Sequence, residues 1–156
     1  MLQIIKKQQG DTLVVRLIGA IEENAGFERE LGSPPAALDI YCKEVSRINS
    51  DGVRSWIKYF QKCQSTKTRL RFFECSPSVV DQMNLISNFI SHGTVESLFV
   101  PFVCKKCHAE FLALFQSNEI QKSGSKIPKM KCKKCSGEAE FDDVPEKYFS
   151  FLFRKK

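Results

Sequence analysis

Much that would announce a function is missing from this 156-residue chain. No apolar run approaches the roughly 20 residues that a membrane-spanning helix needs. Met1 to Gly10 has neither an apolar signal core nor a small-residue cleavage site, so the expected compartment is the cytoplasm, without membrane insertion. There is no phosphate-cradling glycine loop, no H-E-x-x-H pair and no nucleophile elbow. Cys42, Cys63 and Cys75 sit in apolar surroundings, where core thiols are expected rather than nucleophiles. No catalytic residue is assigned, and an enzyme is not expected. Wholesale disorder is also excluded, because 42% of the residues are apolar, 13 of them Phe, which is ample material for a core.

What the chain does have is unevenly spread. Residues 1–100 carry twelve Lys/Arg and eleven Asp/Glu, whereas residues 101–156 carry twelve and seven. Most of the net charge of +6 therefore lies in the last third, beside four of the seven cysteines. An odd number of cysteines without a signal peptide points to a metal site plus buried thiols rather than a disulfide framework.

Residues 1–100 read as alternating strands and helices. Leu2–Lys6 and Thr12–Ile18 are β-prone around the turn Gln9-Gly10-Asp11, a hairpin signal, and Gly19 is expected to end the second strand. Ala37–Cys42 is a short apolar run suited to a buried strand. Ser50-Asp51-Gly52 opens a helix with Ser50 as N-cap, and Val53, Trp56, Ile57, Phe60 and Cys63 follow at helical spacing, with Trp56 and Phe60 expected in the core. Leu70–Cys75 is the next strand. Ser76-Pro77 starts a second helix that runs to His92-Gly93, and Val95–Val103 supplies a further strand. The fold class that follows is α/β, a mixed sheet covered by helices.

Residues 101–156 change character and are expected to form a separate small module. Cys104-Lys105-Lys106-Cys107 and Cys132-Lys133-Lys134-Cys135 flank 24 residues. Two C-x-x-C turns each present two sulfurs from one tight loop, which suits the tetrahedral preference of zinc. All four positions are thiolates, so no coordination site is left for water and the role is structural. The cofactor expected is therefore one zinc ion, held by Cys104, Cys107, Cys132 and Cys135 in a zinc-ribbon-like module. Cys104 to His108 also fits the haem-attachment pattern C-x-x-C-H, but that reading leaves Cys132 and Cys135 unused. Phe111–Gln116 and Ala139–Phe141 are expected strands, Ser123–Lys126 a polar tip, and the aromatic segment Pro145–Phe153 is expected to dock back on the body.

Several stretches resemble the family of sulfate transporter and anti-sigma factor antagonist (STAS) domains. They are Leu17–Ile21, Ala37–Tyr41, Ile48–Val53, Leu70–Phe73 and Ser76–Val80, within residues 12 to 90. The family's junction reads Asp-Ser-x-Gly-Leu, with the Ser or Thr as phosphoacceptor. Ser50 falls on that acceptor and Gly52 on the glycine. Asn49 stands where the family has Asp, and Asp51 sets a carboxylate beside the acceptor. The resemblance implies a four- or five-stranded sheet with helices packed mainly on one face, and no enzymatic activity. It also implies a protein partner, an anti-sigma factor or kinase, bound through Asn49, Asp51, Gly52, Arg54 and Lys58. A phosphate on Ser50 would alter that surface. The leading expectation is thus a regulatory protein–protein interaction module on residues 1–100, fused to a zinc-stabilised module. The alternative is nucleic-acid binding through the basic run Lys122, Lys126, Lys129, Lys131, Lys133 and Lys134, with Phe111 and Phe115 nearby.

Overall fold

In the computed structural model, which describes residues 2–23 and 25–154, the N-terminal hairpin forms around its marked turn. Strand β1 (Gln3–Gln9) pairs antiparallel with β2 (Thr12–Ile21). Strands β3 (Ala37–Ile48), β4 (Arg69–Phe73) and β5 (Thr94–Val95) then add in parallel, giving one mixed sheet in the order β1-β2-β3-β4-β5. The helices α1 (Phe27–Leu31), α2 (Ser50–Ser65) and α3 (Pro77–Leu85) lie between successive strands. Gly19 does not end β2. Its φ of 107° accompanies a register shift between Gly19 and Ala20 against β3, so the glycine serves a bulge and the strand continues to Ile21.

Alternation along the strands sorts the residues by face. Val15, Leu17, Leu38, Ile40, Leu70 and Phe72 are buried in the core with Trp56 and Phe60 of α2. Trp56 stacks on Phe89 at 4.7 Å and on Phe72 at 5.6 Å, and its indole N–H donates to the Phe89 carbonyl at 2.8 Å. That contact explains why α3 stops at Leu85, short of the expected His92. The chain turns extended at Ile86, which returns Phe89 to the core and leaves Leu85 exposed. The other face of the sheet keeps its polar groups paired. Arg71 grips Asp39 through two hydrogen bonds of 2.8 and 2.7 Å, and Tyr41 stacks on Phe73 at 4.8 Å.

A second, antiparallel sheet follows, made of β6 (Ser97–Cys104), β7 (Glu110–Gln116), β8 (Met130–Lys131) and β9 (Glu138–Phe141), in the order β7-β6-β9-β8. The expected boundary after residue 100 falls inside β6. That strand is bridged to the first sheet at Cys75 and Leu98, and its Phe99 N–H donates to the Cys75 carbonyl at 2.8 Å. One hydrophobic cluster runs across the boundary, from Trp56 and Phe72 to Leu98, Val100, Phe102, Tyr148 and Phe149. The aromatic C-terminal segment forms α5 (Pro145–Tyr148) and a 3-10 turn (Ser150–Phe153). It docks on α3: Asn84 donates to the Tyr148 carbonyl and accepts from the Ser150 hydroxyl and the Phe151 N–H. Helix α4 (Ser117–Ser123), where no element was expected, precedes the polar tip; it is opened by a reciprocal capping pair of Gln116 and Glu119 and anchored by buried Ile120. Cys42, Cys63 and Cys75 are fully buried, as core thiols should be.

The start of α2 is fixed by the end of β2. The Asn49 N–H donates to the Ile21 carbonyl at 3.1 Å, and the Asn49 side chain accepts from the Gly52 N–H at 2.8 Å. Asn49 is therefore the N-cap, and Ser50 is the first helical residue, one position later than its sequence reading. Asn reaches the third amide of the helix as well as Ser does, and here the backbone of Asn49 is the one in extended geometry. Gly52 is buried so close to β2 that a Cβ would stand 2.0 Å from the Ile21 carbonyl oxygen. Gly52→Ala is expected to destabilise the protein by about 3 kcal/mol, the upper range for forcing a methyl into a filled site. The shift of the denaturant midpoint, followed by Trp56 fluorescence, measures it.

Candidate metal centre

The four cysteines of the two C-x-x-C turns come together at one end of the second sheet. Cys104 closes β6, and Cys107 follows in the turn toward β7. Cys132 follows β8, and Cys135 leads toward β9. The four sulfurs all lie within 4.8 Å of one another, with Cys104 and Cys135 at 3.5 Å and Cys107 and Cys132 at 3.6 Å. A tetrahedral ion with metal–sulfur bonds of about 2.3 Å needs sulfurs about 3.8 Å apart. The cluster is thus of the size and donor chemistry to hold a metal ion.

The two turns repeat one backbone plan. In the first, the N–H groups of Lys106 and Cys107 point at the Cys104 sulfur at 3.4 Å, and the His108 N–H returns to the Cys104 carbonyl at 3.0 Å. In the second, the Lys134 N–H points at the Cys132 sulfur at 3.4 Å, and the Ser136 N–H returns to the Cys132 carbonyl at 2.9 Å. His108 and Ser136 both take positive φ, 61° and 62°. The Cys104 N–H donates to the Ala109 carbonyl, and in the second turn the Cys132 N–H donates to the Gly137 carbonyl. These inward amides favour the thiolate form. The Cys107 N–H, helped by that of Lys106, draws the Cys104 thiol down to about 6 against its desolvation. The Cys135 and Lys134 N–H groups lower Cys132. At Cys107 the Ala109 N–H pulls the same way, but desolvation and the thiols of Cys135, Cys104 and Cys132 outweigh it and push the group up to about 11. In each turn the backbone thus favours the thiolate of the first cysteine. His108 is exposed.

Of the enclosed lysines, Lys105 faces Glu138 and Glu140 at 3.9 and 3.4 Å, and Lys129 pairs with Glu138 at 2.8 Å. Lys106, Lys131, Lys133 and Lys134 are exposed around the cluster. Gly137 escaped the sequence reading. A Cβ there would lie 3.0 Å from the Lys106 Cβ, 3.2 Å from the Cys135 sulfur and 3.3 Å from the Cys104 sulfur. Its only signal in the sequence is a glycine two places after the last cysteine.

The remaining candidate residues gather at the α2 junction, away from the cysteines. Ser50 is exposed in the first turn of α2 and lines a surface hollow of about 480 Å³ with Ile48, Asn49, Val53, Arg54, Gln82 and Ile86. Asp51 is tied to Arg54 by an ion pair of 2.5 Å. Arg54 and Lys58 line a second hollow on the adjoining side of α2, together with Asp51, Gly26 and Arg29. Gly52 is buried, so it shapes the junction instead of presenting a contact. No helix among the described residues is long and apolar enough to cross a membrane. The chain matches no family model and no curated protein.

Two outcomes follow for the cluster. Gly137→Ala should lower metal affinity about tenfold, the lesser cost of disturbing the groups that support a metal's ligands; competition against a chromogenic chelator measures it. Because β6 carries both Cys104 and core side chains, stripping metal should lower the melting temperature read from Trp56. An unchanged Trp56 transition would mean that the cluster and the core are energetically independent.

Proposed function

We propose that the chain is a non-catalytic regulatory module of the anti-sigma factor antagonist type, which docks a protein partner at the α2 junction and carries one structural zinc ion. The observation that bears most on this reading is the position of Ser50. It stands exposed in the first turn of a 16-residue helix, at the rim of a hollow that also offers Ile48, Val53 and Ile86. A partner can bury the apolar floor while reading the helix end. A phosphate on Ser50 would meet the positive end of the helix dipole, and it would also set its charge beside Asp51 and against a docked protein. The order of the first sheet, one antiparallel pair followed by three parallel strands, supports the STAS resemblance. The partner would be an anti-sigma factor or kinase, met in the cytoplasm.

Zinc is the metal proposed for the cluster because four thiolates in a closed tetrahedron suit it best. A site with no free position gives that ion no catalytic role. The nucleic-acid alternative draws support from the exposed lysines around the cluster. It is weakened by Phe115, which is buried, and by Phe111, which is half-buried and stacked on Phe102 at 5.5 Å, so that little of either ring is free to stack on a base.

Affinity recovery from native cells, comparing wild type with Ser50→Asp by mass spectrometry, tests the reading. A signalling protein recovered with wild type and lost with Ser50→Asp is the expected result. Identical recovery by both would remove the switch, and recovery that nuclease abolishes would favour the basic surface instead. Elemental analysis of the purified chain should give one zinc per molecule.

A further inference from the structure

Sheet edges invite pairing with other chains, and most edges in this protein are protected against it. β1 carries Lys6 and Lys7 near its middle, and β5 and β8 are only two residues long. Lysines and short strands are the usual devices that prevent edge-to-edge association. β7 has neither. It is seven residues long, contains no Lys, Arg or Pro, and ends the second sheet. Among the described residues, the backbone of Phe111–Phe115 pairs with β6 alone.

Its side chains are sorted for a particular neighbour. Leu112 and Leu114 lie on the outer face, 46% and 44% exposed, opposite Pro101 and Phe99 of β6, which are half-buried. Phe111, Ala113 and Phe115 are turned the other way, with both phenylalanines stacked on Phe102. Read along the strand, Glu110-Phe111-Leu112-Ala113-Leu114-Phe115-Gln116 is the same in both directions about Ala113, apart from Glu at one end and Gln at the other.

A two-fold contact requires a patch that complements itself, since each contact occurs twice with the roles exchanged. Antiparallel pairing centred on Ala113 meets that requirement. It sets Leu112 of one copy against Leu114 of the other, Phe111 against Phe115, and the Glu110 carboxylate against the Gln116 amide, with no like charges opposed. A different protein would have no need of a palindrome. We propose that the chain forms a two-fold homodimer by antiparallel pairing of β7 with β7 of a second copy. The two four-stranded sheets then become one of eight strands, and four leucines form an apolar ladder across the join.

Sedimentation velocity of the full metal-loaded chain over a concentration series tests this. Wild type should sediment with the mass of two chains and fall to one on dilution. Leu112→Lys/Leu114→Lys and Leu112→Glu/Leu114→Glu should each sediment as one chain, because the register places like charges face to face. An equimolar mixture of the two should return to the mass of two chains, which separates loss of pairing from loss of fold. A wild type that stays a single chain at every concentration overturns the proposal and leaves the edge to some other protein. A Lys variant that still dimerises, or a mixture that does not, overturns it as well.

Discussion

The packing of β6 is the constraint on which the rest of the second sheet depends. Its first residues bond to the chain around Cys75, its buried side chains Leu98, Val100 and Phe102 enter the common core, and its last residue is Cys104. Close packing on one face fixes the register of the strand, because a slip of one residue would exchange Leu98, Val100 and Phe102 for Phe99, Pro101 and Val103 in a core packed around the first set. The position of the first sulfur is therefore set by hydrophobic contacts well away from it. The other half of the cluster has weaker support. Cys132 follows β8, which is two residues long and pairs only with β9. A bound metal would thus order the β8–β9 side more than the β6 side, and would tie the weaker half to the stronger.

Where local pattern and tertiary packing agree, the elements were legible in the sequence. The hairpin, the first half of β3 (Ala37–Cys42 of Ala37–Ile48), β4, β7 and α2 follow from β-prone or apolar runs and helical spacing, and Trp56, Phe60 and Cys63 are buried as that spacing implies. The four cysteines were legible because their spacing encodes the geometry directly, and the fold brings them together. What escaped depends on contacts distant in sequence. Gly19 looks like a strand end, but only its pairing with β3 makes it a bulge. Ile86 and Ile90 continue the helical pattern of α3, and the demand of Trp56 for Phe89 overrides it. α4 is opened by Gln rather than by the Ser, Thr, Asp or Asn that usually marks a helix start. Gly137 matters because Lys106 and the Cys104 sulfur, both distant in sequence, crowd it together with the Cys135 sulfur.

The α2 junction shows how one glycine and one asparagine can leave a neighbouring serine free. With Asn49 satisfying the Gly52 amide, the hydroxyl of Ser50 is not needed as a cap. With Gly52 pressed on the Ile21 carbonyl, the helix cannot slide along β2 to bury that hydroxyl. The residue that the regulatory reading singles out is thereby held at the surface by its neighbours on both sides.

The seven cysteines fall into two populations that a thiol reagent would tell apart. Cys42, Cys63 and Cys75 are closed off from solvent, and burial raises the Cys42 thiol and pushes Cys63 up to about 11, so they are poor nucleophiles toward an alkylating agent while the fold is intact. The remaining four sit at the rim of the second sheet, where Cys107 is exposed and Cys135 half-buried, so these two sulfurs are the ones a reagent can reach whenever a bound ion departs. Alkylation of the folded chain is thus a readout of metal occupancy, with the three interior sulfurs silent until the protein unfolds.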